Sequence, residues 1–471
     1  MRVYVEDSYR VSSEAELFSD FDARDHLGLL SGGEEEIYTG KGINVVIMDT
    51  GIYPNHSVFT DKGRINWEDR ILVFYDAEKE DTVEEPYDVY WHGTWAASIL
   101  GGNNTDYKGV APDLNFIVMK VFYEEEGEIT STTEDIDAAV DWVLENKKKY
   151  DIKIVSMSFG AAYEDNPEET QELNDIVTRL TEENILVVAS AGNYGDNPQT
   201  ISSPGSAPSV MTVGGVDFDN EMYKRSGRGP TFENIIKPDV CAPAVNILGA
   251  EVGPPDDLYS IHSGTSASTP YVSGLAALML EKEEDLNWKE LKAIISLTSW
   301  RTIEPYTLRD NIQGWGVVQG YAALDALDSF LELNLDSQFE FSLDQGRAVF
   351  CQPIQLDPYT HYFFSLTELD SADAEIYVFD SRPDENGVPL VRSKTLDIFS
   401  ASSNEKRCGI FTDEEARYYL LVKLVYDTGD GKFQLNLILD ARLMIIFGLL
   451  IVNLGALVYT CKLFYKGKKR R

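Results

Sequence analysis

Four short strings hold the residues of this chain whose types and spacing could do nucleophilic acyl-transfer chemistry. NVVIMDTGI places Asp49 directly after a buried apolar strand, where a carboxylate can be held dry and hydrogen-bonded. HGTWAASILGG places His92 at the start of a helical run of small residues. SGTSASTPYVSGLAALML places Ser266 where a Gly-flanked turn enters a helix, so that its hydroxyl can be exposed in a cleft. A carboxylate to orient an imidazole, an imidazole to move a proton and a hydroxyl to attack are the groups this catalysis requires. Separations of 43 and 174 residues are too long for local structure. The order Asp, His, Ser is one of three in which the set has arisen independently. A fourth string, SAGNYG after ILVVA, puts Asn193 at a strand's C-terminal end, where open α/β sheets locate their sites. Its amide could donate to a developing oxyanion, with the Ser266 backbone N–H as second donor. Singly, an Asp after a strand is a cap, HGT a turn and GTS a frequent tripeptide. All four, in order and in these strand and helix contexts, make coincidence the poorer explanation.

The elements that must position them follow from the pattern. Asn44–Met48, Phe116–Val121, Ile152–Met157 and Ile185–Ala189 are continuous apolar runs, expected as strands buried on both faces. Ile136–Asn146 and Glu172–Glu183 read as helices between them, and Asn287 caps a helix over Trp288–Leu297. Alternation over Ile43–Leu327 predicts an α/β fold, a doubly wound and mostly parallel sheet with helices on both faces. The polar opening residues allow a short helix around Glu14–Leu30. From about Phe330 the texture changes to short alternating strands: Phe339–Leu343, Ala348–Ile354, Tyr362–Leu366, Glu375–Asp380, Tyr418–Val425 and Lys432–Leu439. These predict a small all-β sandwich over 330–440.

The four motifs resemble those of the subtilase family, the subtilisin-like serine proteases. The resemblance covers roughly Leu17 to Leu327 and extends to YTGKGINV, KGVAPDLN, SMSFG, SSPGSAPSVMTVGG, KPDVCAP and GWGVVQGYAAL. It implies a sheet of subtilisin type within a catalytic domain over 15–329, and serine endopeptidase activity on protein or peptide substrates. Asp49 would orient His92, His92 would act as general base and then acid, Ser266 would form the acyl-enzyme, and Asn193 would serve the oxyanion. Ser158, Phe159 and Gly160 match one of the family's two edge segments flanking the S1 pocket, and Ser190, Ala191 and Gly192 match the other. An extended substrate would add there as a strand. Trp95 and Ser190 depart from the residues common in the family without touching the mechanism. The resemblance implies no cofactor for the chemistry. A structural calcium ion is assignable to no named residues, because the loop after the His helix is shortened and altered at 101–108. His26, His56, His262 and His361 lie at no metal-ligand spacing and are expected in structural or surface roles. AEIYVFDSRPDENG and ARYYLLVKLVYDTGDGKFQLNL resemble the prepeptidase C-terminal β-sandwich domains of secreted microbial proteases, which implies a spacer or substrate-adhesion role.

Charge and the chain's two ends bear on location. The formal net charge is −39, and the six basic residues of KLFYKGKKRR leave −45 on residues 1–461, a balance that excludes phosphate backbones as partners. Leu443–Cys461 is 19 residues without a charge, about 28 Å of helix, the thickness of a bilayer's hydrocarbon core. With the basic tail 462–471 behind it, the expectation is a single-pass cell-membrane protein, catalytic domain extracellular and C-terminus cytoplasmic. Residues 1–18 contain no apolar export segment. RVYVEDSYRVSS resembles the end of the family's inhibitory prodomain, so 1–14 is expected to be a prodomain remnant and linker. Cys351 and Cys408 could pair or be two buried thiols, and no CxxC spacing points to zinc. The competing functions are a catalytically silent surface adhesion protein, which would normally have lost one of the three groups, and a narrow-specificity processing protease.

Overall fold

A computed structural model describes residues 3–4, 21–30, 38–61, 66–162, 166–304, 308–331, 338–358, 360–369, 372–394, 405–412, 416–426 and 428–439. The span expected at Leu443–Cys461 lies outside the described residues. Among the described residues no helix is long and apolar enough to cross a membrane.

An eight-stranded sheet forms the centre. Across it the order is Val240–Pro243, Met211–Val216, Leu186–Ser190, Ile154–Met157, Asn44–Asp49, Asn115–Lys120, Ile71–Asp76 and Asp81–Thr82. Every pairing is parallel except the last, where Tyr75 faces Thr82. The subtilisin-like α/β sheet is therefore present, and it is mixed by one antiparallel edge. Alternation along Asn44–Asp49 divides two cores. Val45 and Ile47 enter one with Leu275 and Leu278, while Val46 and Met48 enter the other with Val140 and Val177. Burial on both faces explains why these strands are apolar without alternation. The helices start where the sequence supplies caps: Thr132 and Asp135 form a capping box for Thr133–Asn146, and Asn287 with Glu290 does so for Trp288–Thr298.

The strand order reverses at Asn44–Asp49, since the chain next fills the sheet on one side of it and later on the other. Such a switch point opens a crevice at the strands' carboxyl ends, and Asp49 is the last residue of this strand. Thr265–Lys282 crosses one face with every residue from Thr265 to Leu280 buried, a helix apolar all round because it is covered all round.

One expectation narrows, and one alternative left open is decided. In the described part of Glu14–Leu30 the helix is reduced to one 3-10 turn, Asp25–Leu27, and Phe21–Asp22 pairs instead with Tyr107–Lys108. The Asp22 carboxylate accepts from the backbone and guanidinium of Arg24, a local pairing that competes with a helical start. Cys351 and Cys408 are both buried, lie in different sheets and are not joined to each other. A separate two-residue strand, Val3–Tyr4, pairs antiparallel with Ser131 and Thr130.

Residues 338–439 form two four-stranded antiparallel sheets. One runs Gln338–Leu343, Gly431–Leu439, His361–Glu368, Glu405–Phe411; the other Val349–Leu356, Ala416–Leu424, Ala374–Asp380, Leu390–Lys394. Their apolar residues join the larger core. Specific bonds tie them to the α/β region: Trp300 Nε1 donates to the Leu424 carbonyl at 2.8 Å, Lys423 Nζ to Ser299 O at 2.6 Å, and the Val349 N–H to Tyr321 Oη at 2.8 Å.

Candidate active site

Asp49 is fully buried, and its Oδ1 accepts from His92 Nδ1 at 2.8 Å and from the Thr50 N–H at 2.7 Å. The first bond fixes which imidazole nitrogen faces the carboxylate and leaves Nε2 on the other edge of the ring. His92 opens the helix His92–Gly101, which packs directly on the helix Thr265–Lys282 that carries Ser266 in its first turn.

Ser266 is held by a reciprocal pair of hydrogen bonds with Ser158. Its hydroxyl donates to the Ser158 carbonyl at 2.8 Å, and the Ser158 hydroxyl donates to the Ser266 carbonyl at 3.0 Å. The second bond has a covalent cause. Pro270, four residues on within the helix, has no N–H, so the Ser266 carbonyl lacks its intrahelical partner and Ser158 supplies one. Ser158 directly follows Met157, whose register partner is Met48, so it stands beside Asp49 at the same end of the sheet. With its proton on Ser158, the Ser266 hydroxyl must turn toward the imidazole before it can be deprotonated there.

Asn193 follows the strand Leu186–Ser190 and is 5% exposed. Its Oδ1 accepts from the Thr265 N–H at 3.0 Å and from the Thr265 hydroxyl at 3.3 Å. Engaging the amide oxygen this way turns Nδ2 toward Gly264, just before Ser266: a Cβ added to Gly264 would sit 3.1 Å from that nitrogen. The amide thus presents its donor side at the entry to the serine helix.

The two segments expected to border the substrate are laced together. The Ser190 hydroxyl donates to Phe159 O at 3.2 Å, the Ser202 N–H to Ala191 O at 3.1 Å, and Ala161 and Ser203 exchange two backbone bonds of 2.9 Å. Gly160 lies against Ser202 so closely that a Cβ there would be 2.5 Å from Ser202 Oγ. Among the described residues the buried Ser202 hydroxyl has no hydrogen-bond partner, at the point where the two segments close on each other.

The sequence model described as the subtilase family matches residues 40–316, more than half of the chain. The chain belongs to the subtilase family. Serine protease AprX of Bacillus subtilis is 34% identical over 314 residues, covering 59% of this subtilase and 65% of AprX. The major intracellular serine protease of the same organism is 31% identical over 253 residues, covering 52% and 70%. Subtilisin-like protease 1 of Pseudogymnoascus destructans is 32% identical over 253 residues, covering 53% and 55%. The match thus spans between half and about seven-tenths of these relatives. A solved cold adapted subtilisin-like serine proteinase aligns with 57% of this chain and 87% of its own at 26% identity and TM-score 0.46.

The subtilase site also contains groups that sequence reasoning missed. Trp91 stacks on His262 with ring centroids 3.8 Å apart and an interplanar angle of 12°, and both Trp91 and Trp95 edge the His92 ring, at 5.6 and 5.9 Å. His26 and His56 behave as scaffold. His26 Nδ1 meets Tyr271 Oη at 2.7 Å, and His56 caps the short helix Ser57–Thr60 while its Nε2 reaches the Leu258 carbonyl. Burial lowers the pKa of both His26 and His56. Among the described residues no group of three or more His, Cys, Asp or Glu side chains could hold a metal ion.

Proposed function

We propose that this subtilase is an active serine endopeptidase in which Asp49, His92 and Ser266 form the catalytic triad and Asn193 the side-chain oxyanion donor. The observation that carries the reading is the 2.8 Å Asp49–His92 bond at the sheet's switch point, with the Ser266 helix packed against the His92 helix. In the proposed reaction His92 Nε2 takes the Ser266 proton as Oγ bonds to the scissile carbonyl carbon. The carbonyl oxygen becomes an oxyanion, received by Asn193 Nδ2 and the Ser266 N–H. Collapse breaks the C–N bond, and the proton on His92 passes to the leaving amine. Water, deprotonated by His92, then hydrolyses the acyl-enzyme. None of these steps uses a cofactor. The Asp49 carboxylate keeps the imidazole in the tautomer that can accept the proton. The extended substrate would run along Ser158, Phe159 and Gly160 on one side and Ser190, Ala191 and Gly192 on the other.

Casein hydrolysis by the full chain tests the reading. Ser266→Ala should abolish it while leaving the circular dichroism spectrum unchanged; equal hydrolysis by both proteins would sink it.

The location we propose is the outer face of a cell membrane, held by Leu443–Cys461 with 462–471 inside. The uncharged length of that segment and the basic run behind it support this. We read 330–440 as a β-sandwich module that spaces the catalytic region from the surface or adheres to substrate; two antiparallel sheets within 338–439 support it. Truncation after residue 440 should move the protein from the membrane to the soluble fraction; recovery of both forms in the same fraction would refute the anchor.

A further inference from the structure

Asp88 lies four residues before His92 and takes no part in the proton transfers above, yet its carboxylate ties the two triad elements together. Its Oδ1 accepts from the Thr50 hydroxyl at 2.7 Å and the Tyr90 N–H at 3.1 Å. Its Oδ2 accepts from the Thr94 N–H at 2.8 Å and from the Thr94 hydroxyl. The two threonines pass the link onward: Thr50 Oγ1 accepts from the Gly93 N–H at 2.9 Å, and Thr94 Oγ1 from the Tyr53 N–H at 2.9 Å. Each hydroxyl donates once to Asp88 and accepts once, so the carboxylate serves as acceptor throughout; burial raises its pKa, and these hydrogen bonds act against that rise.

The consequence is geometric. Thr50 follows Asp49 and Gly93 follows His92, so the Thr50–Gly93 bond runs one residue beyond the Asp49–His92 bond and doubles it. Asp88 also receives an N-terminal amide of the His92 helix, where Trp91, the capping residue, makes no side-chain cap bond. Slack is absent at the crossing, since a Cβ on Gly93 would stand 2.2 Å from the Gly51 carbonyl oxygen. We propose that Asp88 is a positioning residue that, through Thr50 and Thr94, sets the distance and angle between the Asp49 carboxylate and the His92 imidazole. Its kinetic consequence rests on the peptidase reading; its effect on His92 does not.

The test uses the full chain with Asp88→Asn and Thr50→Val, and reads the His92 imidazole by NMR titration beside the pH profile of hydrolysis. A loosened Asp49 contact stabilises the imidazolium less, so the His92 pKa should fall by about half a pH unit or more in each variant. The acidic limb of kcat/KM should move down with it, kcat should fall on the order of tenfold or more, and KM should stay within about twofold. Thr50→Ser, which keeps the hydroxyl, should restore both. Folded variants with the wild-type His92 titration and kcat would overturn the proposal, whatever their Tm. Should Asp88→Asn not fold, Thr50→Val decides. Wild-type protein that titrates at His92 but hydrolyses nothing would refute the peptidase reading, and the titration would then decide the positioning role alone.

Discussion

The parallel sheet and the antiparallel pair that follows it treat their polar groups in opposite ways. Strands of the first are buried along their whole length, as in Leu186–Ser190 and Met211–Val216, so polar side chains collect where the strands stop. Asp49, Ser158 and Asn193 all stand at or just beyond such ends, and two helix starts bring His92 and Ser266 to them. In the second, outer strands such as Gln338–Leu343 alternate, with one face inward and one toward water. Among the buried polar groups of that pair, Lys423 is turned to the neighbouring region and donates to Ser299. Chemistry gathers where parallel strands end together and their connections diverge. An antiparallel sheet, whose strands end alternately on opposite sides, offers no such end and supplies a docking face instead.

That contrast can be broken at several points. Asp49→Asn should have the largest effect, lowering kcat on the order of 10⁴-fold with Tm nearly unchanged, because it removes the carboxylate that holds the imidazole tautomer. Steady-state kinetics beside a melting curve would show it; a small effect would mean the strand-end carboxylate is ordinary capping. Asn193→Ala should come next, on the order of 10²- to 10³-fold in kcat with KM little altered, a magnitude taken from subtilisin, itself a member of this family. Gly160→Ala should be milder, on the order of tenfold in kcat/KM for substrates with a large side chain before the scissile bond, since its Cβ meets Ser202. A peptide series graded by that side chain would read the change.

The smallest kinetic effect is expected on the antiparallel side. Lys423→Met should leave kcat within about twofold. It should instead alter how stability depends on pH. Burial lowers the Lys423 pKa from 10.5 to about 7, and burial lowers that of Lys237 to about 7 as well. Between pH 7 and 10 the unfolded chain therefore binds more protons at these two lysines than the folded one. Their contribution to stability is greatest at high pH and is lost as the pH falls toward 7. Tm at these two sites' expense should rise from pH 7 to 10 in the wild type and rise less steeply in Lys423→Met. A loss of kcat in that variant as large as that of Asn193→Ala would show that the two regions do not divide the work as described.

How far the sequence was legible follows the same divide. The site residues stand in contiguous strings, so Asp49, His92, Asn193 and Ser266 could be named with their strand or helix contexts, and the strands carrying them fall within two residues of expectation. What joins them could not be read. The Ser158–Ser266 pair depends on a proline's missing N–H meeting a hydroxyl 108 residues away. The Asp88 ring crosses from the Asp49 strand to the His92 helix with no local pattern, and His262 reaches Trp91 only through the fold. In the antiparallel sheets, Leu390–Lys394 and Glu405–Phe411 escaped because Arg392, Lys394, Lys406 and Arg407 blur the alternation that marked the other six. Spacing alone left the pairing of Cys351 and Cys408 open, whereas their burial in separate sheets, not joined to each other, decides it.

The central claim is that Ser266 is a nucleophile activated by its neighbours, and covalent labelling tests it most directly. Full-length protein treated with a fluorophosphonate should carry about one label per chain, mapped by mass spectrometry to the peptide containing Ser266. Ser266→Ala should carry none. A folded wild-type protein that takes no label, or takes it equally in the variant, would contradict the account.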